Sequence, residues 1–289
     1  MTESPEWLVR DDKHRLAYRQ VSGEGATVVW LGGFHSDMTG SKAQTLAEQA
    51  EATGGRFLRF DYFGHGESDG RFADGTISRW RADALAAVDE LTEGPLILVG
   101  SSMGGWIACL VALARPERVR AMVLIAPAPD FTEKLMAPEL SEDARAAIAR
   151  DGFWIRPSDY DDGGYPITRA LLEDGAQWSI LPGPVPIDVP VRILQGGADP
   201  DVPWTHALAL ANALTGQDVV FTLIKDGDHR LSRPQDLERL TAAVSEARGL
   251  VEIDDDPVAR RLARAARARG ASLASAAAWA AADLGPDED

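Results

Sequence analysis

Cysteine is almost missing from this chain: Cys109 is the only one in 289 residues. No internal disulfide can form, and no thiolate zinc cage can be built. Cys109 lies among Ile107, Leu110 and Val111, which predicts a small buried apolar residue rather than a reactive thiol. Long apolar runs are missing as well. Nothing approaches the roughly 20 residues of a membrane helix, and the polar opening MTESPEWLVRDDKHR has neither the apolar segment of a secretion signal nor the basic character of a transit peptide. A cytoplasmic location is therefore expected. Positive charge is in short supply, with 29 Lys and Arg against 45 Asp and Glu and a formal net charge of -16. Such a surface repels phosphate backbones and argues against a nucleic-acid partner. No Cys, His or carboxylate group has metal-ligand spacing, and the glycines lack the dinucleotide fingerprint, so no cofactor or metal is implied.

What the chain does have is alternation. At 45% hydrophobic residues it can bury a large single core. Apolar runs at 28–31, 57–60, 96–99, 121–126, 191–194 and 219–224 read as strands. Between them, helical spacing recurs over 42–52, with Ser41 as N-cap and Gly54 and Gly55 as its end, over 77–91, and after the run at 96–99, where Arg115 and Pro116 stop the helix. Two short segments at 7–9 and 16–18 form an antiparallel hairpin at a sheet edge. Strands alternating with helices predict an α/β fold with a mostly parallel sheet covered on both faces.

The most informative stretch is LILVGSSMGGW, in which an apolar strand runs into Gly100-Ser101-Ser102-Met103-Gly104. This is the pattern of a nucleophile elbow: small residues flank a serine whose backbone is strained, and the turn lifts its hydroxyl above the C-terminal edge of a sheet. Two further strand ends carry matching chemistry. Asp199 follows the run at 191–194 and His229 follows the run at 219–224, so the order Ser, Asp, His is that of the α/β hydrolases. Of the five histidines, only His229 follows the last predicted strand. Asp201, Asp226, Asp228 and Asp130 are rivals to Asp199, which fits best the run Gly196-Gly197-Ala198-Asp199-Pro200-Asp201-Val202-Pro203.

Acyl transfer also needs donors for the developing oxyanion. Met103 N–H, at the start of the elbow helix, is one candidate. Phe34 N–H in Gly32-Gly33-Phe34 is the other, with Gly33 and His35 as alternatives. His65, in Asp61-Tyr62-Phe63-Gly64-His65-Gly66-Glu67-Ser68, is expected to be structural.

Between 128 and 189 the alternation breaks into short helical pieces, notably 141–150, and loops. A lid insertion is expected there, with Phe131, Phe153, Trp154, Tyr160, Tyr165 and Trp178 as candidates for a pocket wall or for the insertion's own small core. The hydrolase domain is placed at 1–250. Residues 251–289 are expected to form an Arg- and Ala-rich helical appendage with Arg260, Arg261, Arg264, Arg267 and Arg269.

LAYRQVSG, GGFHSDMTGSKA, LRFDYFGHGESDG, DELTEGPLILVGSSMGGW, ARPERV, VPW and DHR together resemble the abhydrolase-domain family of palmitoyl-protein thioesterases, also known as mycophenolic acid acyl-glucuronide esterases. The resemblance spans 16–240 and suggests a bacterial relative of a family that is mitochondrial in animals. It implies an α/β-hydrolase fold, a triad of Ser102, Asp199 and His229, and hydrolysis of thioesters or esters through an acyl-enzyme. The implied partner is a small acyl ester or thioester, or an acylated protein. A ligand-binding protein of hydrolase fold and a small-amide peptidase are the competing expectations. Dehalogenase chemistry is disfavoured, because such relatives place Asp where Ser102 stands.

Overall fold

A computed structural model of the protein describes residues 4–157, 163–181 and 183–255. In chain order the elements are β1 (Glu6–Val9), β2 (Arg15–Val21), β3 (Glu24–Leu31), α1 (Ser41–Thr53), β4 (Gly55–Phe60), α2 (Ile77–Leu91), β5 (Leu96–Ser101), α3 (Met103–Ala114) and β6 (Val119–Ile125). They continue with α4 (Ala137–Glu139), α5 (Glu142–Asp151), β7 (Phe153–Arg156), β8 (Tyr165–Thr168), α6 (Arg169–Ala176), β9 (Val191–Gly196), α7 (Trp204–Ala213), β10 (Val219–Ile224) and α8 (Pro234–Asp255).

Eight strands form one sheet in the order β1-β2-β4-β3-β5-β6-β9-β10. The edge hairpin β1-β2 and the β2-β4 pair are antiparallel, and the other pairs are parallel. Central strands read as unbroken apolar runs because both faces are covered. In β5, Leu96 and Leu98 face the core under α2 and α3, while Ile97 and Val99 face the core shared with α1 and α8.

Helix ends follow local chemistry. Thr76 caps α2 by accepting from Arg79 N–H, and Gly54 closes α1 in the left-handed region at φ 67°. The predicted Ser41 cap is displaced by one residue: Gly40 holds the N-cap position of α1, so no side chain satisfies the first-turn amides there.

Between β6 and β9 the chain builds a cap from a π-helical turn at Thr132–Met136, α4, α5, the antiparallel hairpin β7-β8 and α6. Ser141 caps α5 by accepting Ala144 N–H. The hairpin is absent from the alternation read in the sequence, because YPIT is four residues long and carries a proline, which fits an edge strand and little else. Asp174 of α6 accepts from both the amide and the hydroxyl of Ser78, and Trp178 Nε1–H donates to the same hydroxyl at 2.7 Å, which ties the cap to α2. Tyr160 lies outside the described residues, as does nearly all of the Arg- and Ala-rich appendage. The boundary expected at 250 falls inside α8, which buries Leu250 and Val251 against the sheet.

Candidate active site

Gly100, Gly104 and Ser102 set the elbow. An added Cβ on Gly100 would lie 2.3 Å from Gly104 O, and one on Gly104 would lie 2.0 Å from Leu31 O. Both are backbone contacts, so only glycine allows α3 to pass so close to β3 and β5. Ser102 itself sits at φ 55°, ψ -119°, a strained region for a residue with a Cβ. The strain is held by Ser102 N–H donating to Ile125 O at 2.9 Å and by Ser102 O accepting from Gly105 and Ala128.

This turn delivers Ser102 Oγ to His229 Nε2 at 3.1 Å, and His229 Nδ1–H donates to Asp199 Oδ2 at 2.8 Å. Nδ1 faces a carboxylate and therefore carries the ring proton, which leaves Nε2 to accept the serine hydroxyl. Three side chains from three strand ends, separated by up to 127 positions, meet here.

The acid is fixed from four sides. Its Oδ1 accepts Asp201 and Val202 N–H, both at 2.9 Å, and its Oδ2 accepts Gln195 Nε2–H at 3.1 Å besides the histidine. The Asp199 side chain is fully buried while that of His229 stays 23% exposed. Gln195 is absent from the sequence-based set. Its signal is an uncharged amide near the end of the strand VRILQG, where a fully buried polar group demands partners.

Three of the four rival acids are engaged elsewhere. Asp130 accepts Ser179 Oγ–H, Ile180 N–H and Leu181 N–H, holding the cap rather than a ring. Asp226 pairs with Arg233, and Asp228 accepts Leu231 N–H. Asp201, His229 and Asp199 bring possible ligand atoms within 4.8 Å of one another. A cation there would compete with the bonds Asp199 already makes. Cys109 is fully buried, and burial pushes its thiol up to about 12, so it is no nucleophile.

Of the candidate oxyanion donors, His35 is spent: its N–H donates to His65 Nε2 at 3.2 Å. Phe34 and Met103 line the cleft beside Ser102, and neither amide has an acceptor among the described residues. His65 is buried, as expected of a structural residue. Its Nδ1–H donates to Phe63 O at 3.1 Å, and burial pushes its pKa down to about 4, so the ring is neutral.

A cleft of about 500 Å³ opens above Ser102. Phe131 and Tyr165 are the cap aromatics that line it, with Leu135 and Met136 of the π-helical turn. Phe153 points outward and is 45% exposed, and Trp178 braces the cap on α2. Tyr165 packs edge-on against Phe34 and stacks on His35, so the hairpin β7-β8 rests on the turn after β3.

Residues 24–155 match the family model described as serine aminopeptidase, S33. Mouse palmitoyl-protein thioesterase ABHD10, mitochondrial, is 37% identical over 243 residues, covering 83% of this chain and 81% of that protein. Its solved structure superposes with a TM-score of 0.78, covering 84% of this chain and 98% of that one, at 36% identity. A putative hydrolase from Agrobacterium vitis S4 superposes with a TM-score of 0.81 at 44% identity, covering 84% and 98%. With that similarity running over most of both chains, and with the elbow and the parallel sheet beneath it, this chain belongs to the α/β-hydrolase family, in the branch that holds ABHD10.

Proposed function

We propose that the protein is a serine hydrolase that cleaves carboxylic esters or thioesters through an acyl-enzyme on Ser102. The observation that carries this reading is the unbroken chain from Ser102 Oγ through His229 to buried Asp199. As Ser102 Oγ attacks the substrate carbonyl, His229 Nε2 takes its proton and Asp199 stabilises the imidazolium. The carbonyl oxygen becomes an oxyanion, received by the N–H groups of Phe34 and Met103. When it collapses, the C–S or C–O bond breaks and His229 returns the proton to the leaving thiolate or alkoxide. Water then attacks the acyl-serine, giving a proton to His229, which returns it to Ser102 Oγ as the carboxylic acid leaves.

The apolar wall of Phe34, Phe131, Leu135, Met136 and Tyr165 suits an acyl chain, and the name of the mouse relative points to thioesters on acylated proteins. The name of the matched family model points to amides, which are harder to cleave because the amine leaves less readily. An ester, a thioester and an amide of the same acyl group are the direct comparison. Turnover of the first two with the amide far slower is expected. A fluorophosphonate probe should label Ser102 and fail on Ser102→Ala. Labelling at another residue, or no turnover of any of the three by folded protein, would remove this reading.

A further inference from the structure

Besides the acyl wall, the lining of the cleft above Ser102 includes a donor-rich arm of residues from β3, the start of α1 and the loop after His229. Trp30 lines it from β3 at 4% exposure, and its indole N–H is buried with no hydrogen-bond partner. A buried donor left unpaired costs about 1–3 kcal/mol, so this one calls for an acceptor from outside the protein. It lies close to the reaction centre. A Cβ placed on Gly32 would be 3.7 Å from Trp30 Nε1 and 3.3 Å from Ser36 Oγ, and one placed on Gly33 would be 3.5 Å from Ser102 Cβ and 3.7 Å from the same Ser36 Oγ.

Across the arm stands the start of α1. Gly40, Ser41 and Lys42 line the cleft there, and the helix begins with neither a side-chain cap nor an acidic residue in its first turn. An uncapped N-terminus of a 13-residue helix favours negative charge by its free amides and its dipole. Lys42 adds a full charge. Two of its three donors go to Arg230 O and to Ser232 Oγ, the latter at 3.4 Å, and burial lowers its pKa to about 8, so it remains mostly protonated at neutral pH. Arg230, next in sequence to His229, lines the same arm. Three carboxylates also line the cleft: Asp37 is turned onto Thr39, accepting its N–H at 2.7 Å and its hydroxyl at 2.6 Å, Glu139 pairs with Arg156 at 3.5 Å, and Asp201 lies beside His229. Asp228 and Asp236 act on Lys42 from the side of α8.

We infer that this arm is an anion subsite for the leaving group, in which Trp30, Lys42 and the start of α1 hold a carboxylate or phosphate carried by the departing thiol or alcohol. It rests on the reading of Ser102 as nucleophile and deepens it: the acyl chain occupies the cap side and the charged end of the leaving group occupies the α1 side.

The test compares thioesters with one acyl group and three small thiols: 3-mercaptopropionate as anion, 2-mercaptoethanol as neutral and thiocholine as cation, whose quaternary nitrogen cannot take the acyl group from sulfur. Wild type should show kcat/KM in that order, with the anion at least about tenfold ahead of the neutral thioester, as expected for a hydrogen bond to a charged group. Trp30→Phe, which keeps a ring and removes the N–H, and Lys42→Gln should each lower the anion-to-neutral ratio several-fold, chiefly through KM. A second pair, the acyl thioesters of phosphopantetheine and pantetheine, separates a phosphate from a carboxylate as the preferred group. An equal rate on all three thiols, or a loss in both variants that leaves the ratio unchanged, would overturn the subsite and leave Lys42 as a tether for the loop after His229. Labelling of Ser102 by fluorophosphonate in each variant tells failure of the subsite from failure of the enzyme.

Discussion

His65 Nε2 accepts the backbone N–H of His35 at 3.2 Å, which fastens the turn after β4 to the turn that carries Phe34. His35 lies in the left-handed region at φ 56°, a conformation that needs an outside partner to persist in a residue other than glycine. On the proposed mechanism His65 is thus a positioning residue for the Phe34 amide. His65→Phe should lower kcat roughly ten- to hundredfold with little change in KM, as expected for misplacement of one donor. His65→Gln, which can still offer an acceptor to His35, should restore part of that loss. Equal defects in both variants would show that only the packing of the ring matters.

The same ring gives stability a pH dependence. Its pKa is about 4 in the folded protein, against an ordinary 6.5 in the unfolded chain. Between those values the unfolded chain holds more protons, so stability rises with pH across the window and is lost as pH falls from 6.5 to 4. The full effect is about 3 kcal/mol. Asp61 and Asp83, pushed up to about 6 by burial, act oppositely, since the folded chain keeps protons there that the unfolded chain has released. Urea unfolding of wild type and His65→Gln at pH 4.5, 5.5 and 7 isolates the histidine. The stability of wild type relative to the variant should fall on acidification, and a constant difference would contradict the assignment.

Asp199→Asn keeps the size of the side chain while inverting the tautomer of His229, because the amide can donate where the carboxylate accepts. By analogy with other triads kcat should fall by about 10⁴, with the unfolding midpoint much less affected. A variant within tenfold of wild type on a short-chain ester would remove Asp199 from its role.

Asp130→Ala strips the acceptor from Ser179, Ile180 and Leu181 at the return of the cap. Leaving two amides without partners should cost about 2–4 kcal/mol, a fall in Tm of roughly 5–15 °C for a domain of this size. Asp130→Asn, which keeps one acceptor oxygen, should lose about half as much. Calorimetry of both variants decides whether this buried acid is a cap anchor.

Gly104→Ala places a methyl group 2.0 Å from Leu31 O, against backbone that cannot swing aside. The variant is expected to be poorly soluble, or at least about 3 kcal/mol less stable, in line with severe overpacking. Wild-type stability by chemical denaturation would show that α3 can shift away from β3.

Local periodicity made much of the fold legible. The bounds of α2 and β10 follow from apolar spacing and turn residues, and the elbow follows from glycines that flank a strained serine. Less visible was whatever depends on distant pairing. The hairpin β7-β8 is too short to show a period, and Gln195 is silent until its strand is known to end beside Asp199. Residues 128–189 were expected to break the alternation, but which aromatics face the cleft could not be read from a sequence in which Phe131, Phe153, Tyr165 and Trp178 look alike.

By itself the sequence determined the order of strands and helices, the strand ends at which Ser102, Asp199 and His229 stand, and the choice of a hydroxyl over the lone thiol. These follow from hydrophobic spacing and backbone sterics, which act over a few residues. Only the tertiary structure decided that the amide of His35 is taken by His65, that Asp130 serves the cap, and that the unpaired indole of Trp30 and the start of α1 line one cleft with Ser102. Whether a polar group is satisfied or left waiting depends on what the rest of the chain brings within about 3 Å of it, and that distance exists only once the sheet has closed around its order.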